Sequence, residues 1–168
     1  MKQAPGERAS ARGLRLAILR SLFNRTVSDG LVDGAQQALA EMGAARGRVT
    51  VFDVPGAFEL PVAAQAAALS GRFDAVIALG AVIRGETDHY EHVSREAAAG
   101  LAAVARETGV PVAFGVLTVR EAAQAEARSR PGPGNKGREA AQAAVLLART
   151  LRAIRGPGRR RRAGEGRR

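Results

Sequence analysis

The sequence contains neither cysteine nor tryptophan, and only 4% of its 168 residues are aromatic. Without cysteine the protein has no disulfides, no thiolate metal ligands and no cysteine nucleophile. With so few aromatic rings, the core must be built from the Ala, Val, Leu and Ile that dominate the apolar 46% of the chain. This composition is typical of helices packed on a buried sheet, and the length fits one domain.

Long apolar segments are also missing from the sequence. No apolar run reaches the roughly 20 residues of a membrane-spanning helix, and the first thirteen residues lack the apolar stretch of a secretory signal. We therefore expect a soluble cytoplasmic protein without a membrane partner.

Positive charge is abundant but unevenly placed. The net charge of +10 comprises +6 from residues 155–168, which hold seven arginines and one glutamate, +2 from residues 1–13, and +2 from the remainder. The body therefore gives no indication of nucleic-acid binding, and only the Arg-rich tail is a candidate for binding RNA or other polyanions. We expect a flexible leader over residues 1–13, one domain over residues 14–155 and a disordered tail over residues 156–168.

Short apolar runs alternate with helical patterns through the body of the chain. The runs predict strands at Leu14–Leu19, Val49–Val54, Ala75–Leu79 and Val112–Val116. Helices are predicted from Thr26 or Ser28 to Gly43, over about 60–70, 88–108 and 121–129, and from about 136 onward. In the last helix a 4-3-4-3 spacing predicts an apolar face made of Ala140, Ala144, Leu147, Leu151 and Ile154. The alternation predicts an α/β fold, a three-layer αβα sandwich with a four-stranded parallel sheet, doubly wound and flavodoxin-like.

Chemically distinctive residues follow the predicted strands directly, at the edge where ligands bind in such sheets. Phe23 and Asn24 follow the first strand, Phe58 and Glu59 the second, and the stretch GAVIRGETDHYEHV the third, whereas Phe114 lies within the fourth. The three phenylalanines form either a ligand-binding cluster or part of the core. Phe58 and Glu59 suit a planar, hydroxylated ligand, but a glutamate near a helix start also fits a purely structural role.

The histidine stretch has three interpretations. Asp88 and Glu91 have the spacing of a capping box, which would be purely structural. The second interpretation is acid–base chemistry: His89 falls in the first helical turn, where the helix dipole leaves the ring available as a base, beside an anion site at GET with the Thr87 hydroxyl. His89 and His92 could instead bind a metal, although a third ligand at helical spacing is missing.

The loop RSRPGPGNKG leads into the last predicted helix. Arg128 and Lys136 lie at or near its two ends and could clamp a phosphate, because a guanidinium offers a bidentate fork. A solvated basic loop would have the same sequence, so both interpretations stay open at this point.

Taken together, these motifs resemble the 6,7-dimethyl-8-ribityllumazine synthase family. The chain has FN after the first strand, then VPGAFELP, DAVIALGAVIRGETDHYEHV, TGVPVAFGVLT and GNKG in the family's order and spacing, over about residues 14–155. The resemblance implies a transferase that condenses 5-amino-6-(D-ribitylamino)uracil with 3,4-dihydroxy-2-butanone 4-phosphate, the penultimate step of riboflavin biosynthesis. It implies no metal and no redox cofactor.

The resemblance also implies roles for individual residues. His89 matches the proton-transfer residue. The residues implied to line the ribitylaminouracil pocket are Phe23, Ala57, Phe58, Glu59, Ala81, Val82, Ile83 and Phe114. The residues implied to hold the phosphate of the butanone are Glu86, through its backbone, Thr87 and Arg128. Further candidate site residues are Asn24 and Lys136. Phe114 and Arg128 match positions that a neighbouring subunit supplies.

A shared site implies an assembly. Members of the family form homopentamers with active sites at the subunit interfaces, and some pack twelve pentamers into a 60-subunit shell. The lack of an insertion before GNKG favours a shell, and riboflavin synthase is a candidate partner.

The chain departs from the family pattern in two places. Its loop has Gly132 where much of the family has lysine, and Arg130 where the family has glycine, while the Arg-rich tail has no counterpart in the pattern. The alternative hypothesis is a lumazine-synthase-like shell, or a protein that binds lumazine or flavin with little turnover, whose tail binds RNA.

Overall fold

The computed structural model describes residues 9–156. Four strands and five α-helices alternate along this part of the chain: β1 (Leu16–Ser21), α1 (Arg25–Glu41), β2 (Val49–Val54), α2 (Leu60–Leu69), β3 (Ala75–Ile83), α3 (His89–Thr108), β4 (Val112–Val119), α4 (Ala122–Ser129) and α5 (Lys136–Arg155). Single 3-10 turns precede β2 at Arg46–Arg48 and α2 at Ala57–Glu59.

The strands form one parallel sheet in the order β2-β1-β3-β4. Helices α1, α4 and α5 cover one face and α2 and α3 the other, so each face has its own apolar core. The central strands β1 and β3 are almost entirely buried, because an all-parallel sheet is covered on both sides. The predicted three-layer α/β fold is confirmed.

Strand β3 continues past the predicted end. Its ladder with β4 runs from the pair Val76 and Val112 to the pair Ile83 and Val119, so residues 80–83 belong to the strand and not to the loop after it. Gly80 lies inside β3 at a point where there is little space for a side chain. A Cβ there would lie 2.9 Å from the Cβ of Ser21 on β1.

The structure confirms only part of the apolar face predicted for α5. The structure buries the small residues, and the larger residues of the predicted stripe point outward, with Leu147 42% and Ile154 73% exposed. Small residues face the core because α5 lies close to α1, which larger side chains would prevent. The α5 residues that are buried are Gly137, Ala140, Ala141, Ala144, Val145 and Ala148.

The packed region begins earlier than residue 14. Ala11 is fully buried and its N–H donates to the Met42 carbonyl at 2.8 Å. Arg149 of α5 holds the same segment, donating to the carbonyls of Ser10 and Arg12 at 2.7 and 2.6 Å. Residues 1–8 and 157–168, which contain the rest of the predicted leader and nearly all of the predicted tail, lie outside the described residues.

Candidate functional site

The turn after β1 is fastened to both neighbouring strands. Leu22 and Phe23 donate their N–H groups to Val54 and Pro55 at 2.9 and 3.1 Å, and the Asn24 side chain donates to the Ala81 carbonyl at 3.0 Å. Asn24 adopts a left-handed conformation, with φ 58° and ψ 47°, which asparagine tolerates better than most residues. The turn therefore holds Phe23 at a fixed place on the carboxyl edge of the sheet.

Two aromatic rings stand exposed at this edge. Phe23 is 71% exposed and Phe58, in the turn before α2, is 57% exposed. Both rings are available for stacking on a planar ligand, and neither belongs to the core. Phe73, by contrast, is buried and packs edge-on against Phe52 with ring centroids 5.8 Å apart.

Small apolar surfaces and one carboxylate lie beside these rings. Ala57 and Ala81 are buried, and Glu59 is partly buried at the start of α2. The Glu59 side chain makes no capping hydrogen bond to α2, and one of its carboxylate oxygens turns back toward Gly56. A carboxylate in that position can accept hydrogen bonds from ligand hydroxyls.

The start of α3 differs from the prediction. Asp88 occupies the N-cap position but in a helical conformation, φ −72° and ψ −1°, and its side chain makes no capping hydrogen bond. The capping-box prediction for Asp88 and Glu91 is wrong, because a side-chain cap requires an extended backbone at the N-cap. The first N–H groups of α3 therefore lack a side-chain cap, next to the exposed residues Glu86, Thr87 and His89.

Phe114 does not lie at the carboxyl end of its strand. It is the third residue of β4, pairs with Ala78 and is 46% exposed. The end of β4, Val119, lies five positions further along the strand, which at strand spacing is roughly 16 Å. Of the three phenylalanines considered as a ligand-binding cluster, Phe23 and Phe58 therefore lie at the carboxyl edge and Phe114 does not.

Arg128 and Lys136, the two basic candidate residues, lie with Phe114 along the open edge of β4. A groove of about 660 Å³ there is lined by Phe114, Arg128, Lys136 and Glu139, among others. The Arg128 guanidinium donates to the Gln124 carbonyl of its own helix at 3.0 Å, and the Lys136 ammonium donates to both Glu139 oxygens at 2.8 Å. Within one chain, the candidate residues thus form two separate groups, one at the carboxyl edge and one at the β4 edge.

An ion-pair network around Arg20, three residues before Phe23, was not predicted from the sequence. Arg20 of β1 donates to both oxygens of Asp53 on β2, at 2.8 and 3.0 Å, and to Asp29 of α1 at 2.8 Å. Hydrogen bonding from Arg20 lowers the pKa of Asp53 below its usual value. The signal was present in the sequence, because charged residues near the ends of two strands predict a cross-strand pair once the strands are known to be neighbours.

Within residues 9–156, no three His, Asp or Glu side chains come together as a metal-binding group. The helices of this range also include none that is long and apolar enough to cross a membrane. His89 and His92 lie one turn apart on an exposed surface of α3.

Residues 13–152 match the family model described as 6,7-dimethyl-8-ribityllumazine synthase. The chain belongs to this family. The family is a transferase family of riboflavin biosynthesis, and the parallel α/β fold agrees with membership.

The loop in which the chain departs from the lumazine synthase pattern has its own conformation. Gly132 has φ +126°, which a side chain such as lysine adopts only with strain. Arg130 ends α4 with an extended backbone and is exposed.

Proposed function

We propose that this protein is the lumazine synthase that joins 5-amino-6-(D-ribitylamino)uracil to 3,4-dihydroxy-2-butanone 4-phosphate and releases 6,7-dimethyl-8-ribityllumazine, phosphate and water. The observation that carries the proposal is the arrangement at the carboxyl edge, in a chain of this family: two exposed aromatic rings beside an uncapped helix start that bears His89.

The pyrimidine is proposed to stack on Phe23, whose turn is held rigid by hydrogen bonds to two strands. Rigid placement matters because a bimolecular condensation gains most from holding its two reactants in register. Glu59 is proposed to accept hydrogen bonds from the ribityl hydroxyls. The remaining residues proposed to line this pocket are Ala57, Phe58, Ala81, Val82 and Ile83.

The phosphate of the second substrate is proposed to lie at the start of α3. Uncapped N–H groups and the positive end of the helix dipole favour an anion there, together with the Glu86 backbone and the Thr87 hydroxyl. After the amine has attacked the ketone and water has left, a C–H bond is broken as phosphate departs. The His89 imidazole is proposed to accept that proton, since it stands at the same helix start as the leaving group.

Phe114 and Arg128 are proposed to serve the site of a neighbouring subunit. The displacement of Phe114 along β4 supports this, because Phe114 lies far from the carboxyl edge of its own chain. A second chain that lays its β4 edge against that carboxyl edge would complete the pocket, with the Phe114 ring over the pyrimidine and the Arg128 guanidinium on the phosphate. We accordingly propose a homopentamer with shared sites.

The test is direct formation of the lumazine chromophore. Purified protein is mixed with both substrates, and the absorbance of the product is followed against the slow uncatalysed reaction, with phosphate release measured in parallel. Acceleration of both signals supports the proposal. Bound ligand without acceleration would instead make the chain a lumazine-binding protein.

A further inference from the structure

The side chain of Asn135 is buried and is hydrogen-bonded through both its amide nitrogen and its oxygen. It is 1% exposed, and its amide N–H₂ lies within hydrogen-bonding distance of the carbonyls of Gly30, Ser129 and Arg130, at 2.9, 2.8 and 3.1 Å. Its carbonyl oxygen accepts the Arg138 N–H at 3.1 Å and so caps α5. One side chain thus joins the middle of α1, the end of α4 and the beginning of α5.

The surroundings of Asn135 leave no room for movement. At Gly34 an added Cβ would clash with the Asn135 amide, and at Gly137 it would clash with the Leu31 carbonyl. At Gly30 an added Cβ would lie 2.5 Å from the Ser129 carbonyl oxygen. The segment 129–137 therefore docks on α1 with backbone against backbone, and its position is fixed by contact as well as by hydrogen bonds.

The residues that adjoin this fixed segment are the two cations of the β4 groove. Arg128 directly precedes Ser129, and Lys136 directly follows Asn135. Lys136 is already paired with Glu139, which leaves Arg128 as the groove cation without a carboxylate partner among the described residues. The hydrogen bonds from Asn135 to the carbonyls of Ser129 and Arg130 therefore fix the position of the neighbouring Arg128 backbone.

We propose that Asn135 is a positioning residue for phosphate binding, acting through Arg128. This inference rests on the proposed function, in which Arg128 binds the phosphate of the butanone substrate. Asparagine suits the role because one planar group supplies two donor hydrogens and an acceptor. Aspartate has the same shape and keeps the acceptor, but it turns a carboxylate oxygen toward three carbonyls.

Two variants disturb the segment from opposite sides. Asn135→Asp removes the donors, whereas Gly30→Ala displaces the Ser129 carbonyl but removes no hydrogen-bonding group from the chain. The matched control is Gly134→Ala in the same loop, where an added Cβ meets nothing within 4 Å. The measurements are KM for each substrate, the inhibition constant of inorganic phosphate against the butanone phosphate, and the melting temperature.

We expect both variants to raise KM for the butanone phosphate and the inhibition constant of phosphate about tenfold or more, since a displaced binding group loses much of its effect. KM for the ribitylaminouracil is expected to stay within about twofold, and the control to match the parent. A residue with only a structural role would lower the melting temperature without separating the two KM values.

The inference is overturned if the folded variants keep the parent's phosphate inhibition, if both KM values rise together, or if neither variant folds, since Asn135 would then serve stability alone. Failure of the proposed function is distinguishable. In that case the parent itself forms no lumazine, so neither KM value can be measured for it.

Discussion

Phe23 and Asn24 are adjacent residues whose side chains point in different directions. Asn24 turns inward, takes a left-handed conformation and bonds to the Ala81 carbonyl, and this leaves the Phe23 ring in solvent. The sequence placed both at a strand end, but it left open whether the phenylalanine belongs to the core. The different orientations of the two side chains could not be predicted from the local sequence, because the hydrogen-bond partner of Asn24 lies 57 residues away in sequence.

His89 provides the sharpest test at the scale of one residue. We expect His89→Ala to lower kcat by about 10²–10³-fold, because proton transfer by a positioned side chain contributes that order of acceleration. Fold and assembly should be retained, since the side chain is exposed. The measurement is steady-state lumazine formation together with sedimentation.

The control for this prediction is His92→Ala, which removes an exposed imidazole one turn further along α3. Its kcat should stay within about twofold of the parent, because it is not proposed to transfer a proton. Equal losses in the two variants would contradict the assignment of His89.

At the scale of elements, the helices pack through their smallest residues. Helix α5 approaches α1 so closely that Gly137 faces the Leu31 carbonyl without space for a Cβ. The 4-3-4-3 spacing predicted the helix, and it placed Ala140 and Ala144 correctly on the buried face. It also assigned Leu147 and Ile154 to that face, whereas the structure leaves both exposed and fills the contact mostly with alanines. Hydropathy patterns give weight to large apolar residues, and so they miss an interface in which the distance between backbones selects small ones.

Gly137→Ala should therefore destabilise the protein by about 2–4 kcal/mol, because the methyl group forces α5 away from α1. The sign is opposite to that expected from helix propensity, by which alanine in a helix is favoured by about 1 kcal/mol over glycine. Urea denaturation measures the difference.

The matched control is Gly134→Ala, where an added methyl group meets nothing within 4 Å. It should change the free energy of unfolding by less than about 0.5 kcal/mol. A Gly137→Ala variant as stable as the parent would show that α5 can shift without cost.

A second junction between elements involves Asp74. Burial raises the pKa of this carboxyl, but the Arg15 N–H and guanidinium and the Arg152 guanidinium outweigh burial and hold the pKa below its usual value. The partners lie at 2.8, 3.4 and 2.9 Å. A group whose pKa is lowered by folding stabilises the protein above its unfolded pKa, and this stability is lost as the pH falls through the folded value.

Asp74→Asn should therefore cost about 1 kcal/mol at pH 7, a modest value because both arginines are half-exposed. The difference from the parent should shrink as the pH falls below about 4, because the carboxyl is protonated first in the unfolded chain and, at lower pH, in the folded parent as well. Unfolding free energies at pH 3 and pH 7 measure it, with Asp33→Asn on the exposed side of α1 as the control. A difference independent of pH would show that the charge is not involved.

At the scale of the whole molecule, the candidate site is divided. His89 stands at the carboxyl edge, whereas Phe114 and Arg128 line the groove at the β4 edge. A parallel sheet has two open edges, and β4 is one of them, so its backbone is open to a partner. The shared site that we propose makes activity a property of two adjoining chains.

Mixing two impaired variants tests this division. His89→Ala and Arg128→Ala, each impaired alone, are unfolded, combined in equal amounts and refolded together. If each site takes His89 from one chain and Arg128 from its neighbour, random assembly gives about a quarter of the sites both intact residues in a closed ring. We expect about that fraction of the parent's activity.

Separately refolded variants, mixed afterwards, are the control and should show no more than the summed residual activity of the single variants. Activity that never exceeds the sum of the two single variants would contradict a site shared between subunits. Sedimentation of the parent measures the size of the assembly in the same preparation.

The sequence by itself determined the order of strands and helices, the parallel α/β class, the residues that follow the first two strands and the family. These depend on local periodicity and on motifs that are contiguous in the chain. Only the tertiary structure decided the strand order β2-β1-β3-β4, the extension of β3 to Ile83, the buried face of α5, the pairing of Arg20 with Asp53 and the distance of Phe114 from the carboxyl edge. Each of these depends on contacts between residues far apart in the chain, and the free energy of such contacts comes from packing and hydrogen bonding that no local pattern records.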